Sequence, residues 1–167
     1  MADRTRIASR LIAARRALRI RSRHGTFPSV PTIAIVNYLK LDGDAHLEAA
    51  ECSGCGALYL DRRNACARCG KREFGRRRLS NDGVVRSFSI IHRAAPGVPA
   101  PFVSAVVDLE GGGKVKANIV GVGPTPDEVQ LGMPVTLTTF TAGTDDNGTE
   151  AVAFGYRPIT TDNGSAA

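Results

Sequence analysis

Cys52-Ser53-Gly54-Cys55-Gly56 and Cys66-Ala67-Arg68-Cys69-Gly70 are two copies of one pattern, with ten residues between Cys55 and Cys66. Two residues between thiolates let a chain wrap one face of a metal ion, and two such knuckles complete a tetrahedral Cys₄ shell. The glycine after each pair gives the backbone room to fold close, so that N–H groups reach the sulfurs and disperse their charge. The spacing therefore predicts a rubredoxin-like zinc ribbon with Cys52, Cys55, Cys66 and Cys69 as ligands. Redox or free thiols are the other use of clustered cysteines, and iron is the alternative metal. Zinc is favoured because nothing else in the chain suggests electron transfer. A closed Cys₄ shell leaves no open coordination position, so the expected Zn²⁺ is structural and lets a segment too small for its own core fold.

Working outward, residues 32–50 form a bridge into the cysteine segment, readable as strand or helix, with a turn at Asp42-Gly43-Asp44. Beyond Gly83 the composition turns to strands. Val84–Arg93 is rich in β-branched residues and stops at the proline-rich run 95–101. Phe102–Leu109 and Lys114–Val122 form a hairpin about Glu110-Gly111-Gly112-Gly113. Asp127–Gln130 is readable as one helical turn. Val135–Thr141 and Ala151–Tyr156 flank a turn over 143–148. Five β-segments in this span predict a small closed barrel of the OB-fold type. The fold class is thus mainly β: an N-terminal helical arm, the zinc ribbon, then a five-stranded OB-fold barrel. The divisions expected are a basic arm and linker over 1–31, bridge and ribbon over 32–78, the barrel over 79–158, and a loose tail over 159–167.

Charge is unevenly placed. Residues 1–25 carry eight arginines against Asp3, a net +7, while residues 51–78 carry +5 and residues 79–167 carry −4. Residues 4–21 place Ile7, Leu11, Ala14 and Leu18 on one stripe of a basic amphipathic helix, an arm that docks on a partner or is disordered alone. A transit peptide or a membrane-surface helix has the same look. The acidic barrel half argues against a grip on a nucleic-acid backbone. Aromatic residues are 5% of the chain and tryptophan is absent, so Val, Ile, Leu and Ala must fill the core. No apolar run reaches the ~20 residues that span a bilayer and no signal peptide is apparent. The expectation is a cytoplasmic protein without a membrane partner, in a compartment that keeps thiols reduced.

No catalytic residue is assigned. The chain has four cysteines, all committed to the ribbon, and its three histidines, His24, His46 and His92, are scattered. No serine sits in a G-x-S-x-G setting. Gly111–Gly113 before Lys114 lacks the phosphate-loop pattern and reads as a hairpin turn.

Taken together, these motifs resemble the zinc-ribbon/OB-fold family associated with acyl-CoA enzymes, once classed as a domain of unknown function. The resemblance rests on both cysteine knuckles with Arg62-Arg63 between them, and on Gly83-Val84-Val85-Arg86-Ser87-Phe88 with Ile90-Ile91-His92-Arg93. It continues through Pro96-Gly97-Val98-Pro99-Ala100-Pro101-Phe102, Lys116-Ala117-Asn118-Ile119-Val120-Gly121 and Val129-Gln130-Leu131-Gly132-Met133-Pro134-Val135. It covers roughly residues 32–158 and leaves out the basic arm. It implies a non-catalytic accessory subunit that assembles with a thiolase-fold large subunit, or in some members with an acyl-CoA hydratase or an aldolase, in a hetero-oligomer whose catalytic residues belong to the partner. A CoA thioester at the interface would then meet Arg62, Arg63, Arg68, Arg76, Arg77, Arg78, His92, Arg93 or Phe102, since guanidinium groups bind phosphates bidentately. The proline-rich loop 96–101 is the other expected contact, because prolines lower the entropy lost on docking. The rival reading is a nucleic-acid-binding ribbon and barrel, since both folds serve that role.

Overall fold

A computed structural model describes residues 30–159. The arm read as a helix over 4–21 and all of the tail expected over 159–167 except Ile159 lie outside the described residues. Ten strands follow in chain order: β1 Thr32–Ala34, β2 Leu39–Lys40, β3 His46–Cys52, β4 Leu58–Tyr59, β5 Phe74–Arg78, β6 Asp82–Ile91, β7 Phe102–Leu109, β8 Lys114–Ile119, β9 Pro134–Thr144 and β10 Glu150–Pro158. The ambiguous bridge 32–50 resolves into three short strands, with Gly43 at φ +79° in the turn before β3.

The last five strands close into a barrel in the order β10-β8-β7-β6-β9, with β9 returning to pair with β10. The closed barrel is as the sequence predicts. Its cause is legible along β7 and β8, where alternate residues are buried: Val103, Ala105, Val107 and Leu109, then Val115, Ala117 and Ile119. Period-two alternation sends these side chains to one side of the pleat and leaves Ser104, Lys116 and Asn118 on the other. Each Val or Leu fully buried in this way contributes about 1.5–3 kcal/mol.

Closure depends on an irregularity in β6. The register slips between Val85 and Ser87, so Arg86 is an extra residue opposite β7. A bulge bends a strand and increases its twist. The first three residues of β6 thereby pair with β9, while its remainder follows β7 alone. Both register and bulge are set by tertiary pairing, which explains why the strand ends read from sequence differ by a few residues from those observed.

One expectation fails. Residues 127–130 form no helix; the segment from Gly121 to Met133 is a chain of turns. Pro124 and Pro126 remove backbone donors, and the Glu128 carboxylate accepts the Gly123 N–H at 2.6 Å. The segment instead drops Val129, 1% exposed, into the core.

The second sheet runs β2-β3-β4, with β5 also pairing with β3. Its core residues Leu39, Leu47 and Ala49, with Leu79, join the barrel residues in one hydrophobic cluster. The two sheets are clamped by Arg77, whose guanidinium donates to Glu51 Oε1 at 3.0 Å and to the Gly111 carbonyl at 2.9 Å. Gly111–Gly113, all at positive φ, form the β7–β8 turn against which the ribbon sits, with Leu58 beside Gly112 and Leu79 beside Gly113.

Candidate metal centre and its surroundings

Strand β3 delivers Cys52 at its end, and the chain turns at once. The Gly56 N–H donates to the Cys52 carbonyl at 2.9 Å, and Cys52 N–H donates to Ala57 at 2.9 Å. The second knuckle repeats this: Gly70 N–H to the Cys66 carbonyl at 2.8 Å, and Cys66 N–H to Lys71 at 2.7 Å. The two glycines stand at φ +67° and +75°, conformations that cost a side chain strain, which is why the pattern carries glycine there. The amides that reach sulfur are different ones. Gly54 N–H approaches Cys52 Sγ at 3.4 Å, and Arg68 N–H approaches Cys66 Sγ at 3.4 Å. The glycines close the turns, and in each knuckle the amide two residues after the first cysteine reaches that cysteine's sulfur.

All four sulfurs lie within 4.8 Å of one another. The closest pairs join different knuckles, Cys52 with Cys69 at 3.5 Å and Cys55 with Cys66 at 3.6 Å. A tetrahedral zinc–thiolate shell with bonds of about 2.3 Å separates its sulfurs by about 3.8 Å, so the arrangement fits such an ion. None of the four is in a disulfide. The site is a cluster able to hold one metal ion.

One residue near the cluster has no signature in the spacing. The Tyr59 hydroxyl, delivered by β4, lies 3.3 Å from Cys66 Sγ and accepts the Ala67 N–H at 3.1 Å. Its ring stands edge-on to Phe74, with centroids 6.0 Å apart, and carries the Arg63 guanidinium 5.2 Å from its centroid. The Tyr59 hydrogen bond, with the Arg68 and Cys69 amides and Cys55, draws the Cys66 thiol down to about 6 against the opposing effect of burial. At Cys69 the Lys71 amide lowers the thiol, but hydrogen bonds to Cys52, Cys55 and Cys66 together with burial outweigh it and push it up to about 12. A tyrosine after the first knuckle is a detectable signal only once its fold-back onto the second is known.

The arginines expected at a CoA or partner contact separate into groups. Arg76 donates to Glu48 at 2.7 Å on the surface and Arg77 is the clamp described above, so both already have carboxylate partners in this chain. Arg62, Arg63, Arg68 and Arg78 are exposed and make no ion pair among the described residues. His92 and Arg93 are exposed beyond the end of β6, and half-buried Phe102 pairs with Ile91. These three sit at the far end of the ten-residue β6, up to about 30 Å from the Gly83 end that faces the ribbon, at 3.3 Å per residue. The structure therefore does not gather the ribbon arginines and the β6–β7 tip into one site. Among the described residues no helix is long and apolar enough to cross a membrane.

Residues 76–140 match the family described as the C-terminal OB-fold domain of ChsH2. The chain is 31% identical over 114 residues to a DUF35 domain-containing scaffold protein of Methanocaldococcus jannaschii, covering 66% of this chain and 79% of the relative. It is 33% identical over 100 residues to the benzoylsuccinyl-CoA thiolase subunit BbsA of Geobacter metallireducens, covering 58% and 68%. Among solved structures, the Ltp2-ChsH2(DUF35) aldolase superposes with a TM-score of 0.56 at 28% identity, over 68% of this chain and 84% of that one. With its barrel matched by the ChsH2 OB-fold and most of a scaffold protein's length aligned at 31% identity, this chain belongs to the DUF35 family.

Proposed function

We propose that this chain is a non-catalytic accessory subunit of a thiolase-type acyl-CoA enzyme, holding structural zinc in its Cys₄ cluster and needed for assembly or activity of the complex. The observation that carries this reading is that all four cysteines of the chain converge on one cluster. Acyl transfer of the thiolase kind needs a thiol nucleophile, and that thiol must then come from another chain. The names of the relatives, a scaffold and a thiolase subunit, support the same conclusion. Zinc suits four thiolates in a closed shell and supplies folding energy. Arg62, Arg68 and Arg78 are exposed and make no ion pair among the described residues, and they are suited to an acidic partner surface or the phosphates of CoA. A second reading, with an aldolase as the partner in place of a thiolase, is favoured by the superposition on the Ltp2-ChsH2 aldolase.

The test is to purify the chain from native cells and identify what accompanies it in stoichiometric amount, then to assay thiolysis with and without it. Co-purification of a thiolase-like protein that is inactive alone, with one zinc per chain by elemental analysis, is the expected result. An aldolase in its place selects the second reading. If the chain purifies alone, changes no acyl-CoA enzyme, and retains single-stranded nucleic acid after deletion of residues 1–25, the nucleic-acid reading replaces both.

A further inference from the structure

The outer wall of the barrel where β6, β9 and β10 run side by side carries two rows of residues whose order has an internal symmetry. Asp82 pairs with Thr136 across β6–β9, and Thr136 pairs with Arg157 across β9–β10. One step along, Val84 pairs with Pro134, and the Ile159 N–H donates to the Pro134 carbonyl. Between the rows Gly83 and Val135 are buried and Pro158, opposite Val135, is half-buried, so the rows on either side take the outward face. Val84 is 42% and Ile159 37% exposed, and Leu131, 68% exposed, stands just before β9. Neither Asp82 nor Arg157 makes an ion pair among the described residues. The wall thus reads acid, threonine, base in one row and valine, proline, isoleucine in the next.

We infer that this wall is a self-association surface for a second copy of the chain, related by a two-fold axis running along β9. Such an axis exchanges the two sides of β9 while leaving each row opposite itself. Asp82 of one copy then faces Arg157 of the other, twice over, and Val84 faces Ile159, also twice, with Pro134 and Thr136 meeting their own counterparts. An interface of this kind must be self-complementary, and an acid and a base placed symmetrically about the central strand satisfy that requirement. Strands lie about 4.8 Å apart, so Asp82 and Arg157 sit on the two flanks of β9, within reach of a long arginine side chain. The small residues at the crest, Pro134 and Thr136, allow the curved walls to approach. An open cleft of about 540 Å³, lined by Gly121, Val122, Thr136, Arg157, Pro158 and Ile159, lies where Val84 of the second copy arrives. An unrelated partner would have no reason to require opposite charges at mirrored positions; a second copy does.

The full-length chain, studied by analytical ultracentrifugation, is expected to dimerise. Asp82→Arg and Arg157→Glu are each expected to weaken the dimer by about tenfold or more, since each places like charges together twice. Neither side chain makes a hydrogen bond among the described residues, and retention of one sharp thermal transition checks that the variants fold. Mixing the two single variants restores the dimer, because each then offers the charge that the other lacks. A monomeric wild-type chain overturns the inference, as does a mixture that associates no better than its components. Loss of a co-purifying enzyme from both variants, with the wild-type chain alone monomeric, also overturns it and assigns the wall to that enzyme.

Discussion

Tyr59 is the residue most informative about how the cluster is held. Its hydroxyl bridges Cys66 Sγ and the Ala67 amide, joining β4 to the second knuckle. Partners of this kind orient a ligand and tune its basicity. Tyr59→Phe keeps the packing on Phe74 and removes both hydrogen bonds. The expected result is a folded protein whose metal affinity falls by about ten- to a hundredfold, measured by competition with a chromophoric chelator. Unchanged affinity would show that the hydroxyl only packs. The four cysteines were legible from their spacing because two-residue gaps are a local constraint. Tyr59 was not, because its partner lies seven residues on and the fold between them is not periodic. The arginines show the same divide: Arg76 and Arg77 read like Arg78, and only the register of β5 against β3 commits them to Glu48 and Glu51.

Among the elements, β6 carries the barrel. Gly83 lies against β7 so closely that a Cβ would overlap the Asp108 carbonyl oxygen and stand 2.9 Å from Val107 Cγ1. Gly83→Ala forces two backbones apart where β6 passes from β9 to β7. It is expected to cost about 3 kcal/mol in denaturant unfolding, the range of overpacked cores. Gly75→Ala in β5 is the control, since its Cβ would meet nothing within 4 Å and its φ is not positive. That change is expected to leave stability within about 0.5 kcal/mol. Both glycines sit in strands and look alike in the sequence; only the close approach of β7 distinguishes them. The alternation of β7 and β8 was readable, whereas the bulge at Arg86 and the fate of 127–130 depended on neighbours distant in the chain.

For the molecule as a whole, the ribbon sheet and the barrel share one core through Leu39, Leu47, Ala49 and Leu79. With Cys52 itself 2% exposed at the end of β3, loosening the cluster must disturb that core. If the cluster holds the proposed zinc, stripping it with a chelator is expected to lower the melting temperature by at least about 10 °C while calorimetry still shows one transition, as the loss of a few kcal/mol in a single cooperative unit requires. Two separate transitions would show that the ribbon and barrel unfold independently. The sequence by itself determined the Cys₄ knuckles, the strand-rich half that closes as a barrel, and the lack of a spare thiol for acyl transfer. Each follows from local spacing, from period-two alternation or from composition. Tertiary structure alone decided which arginines pair with carboxylates of the same chain, that the ribbon and the β6–β7 tip lie at opposite ends of a strand, and that Asp82 and Arg157 flank β9. Those are relations between residues far apart in the chain, fixed by strand register, which no local pattern encodes.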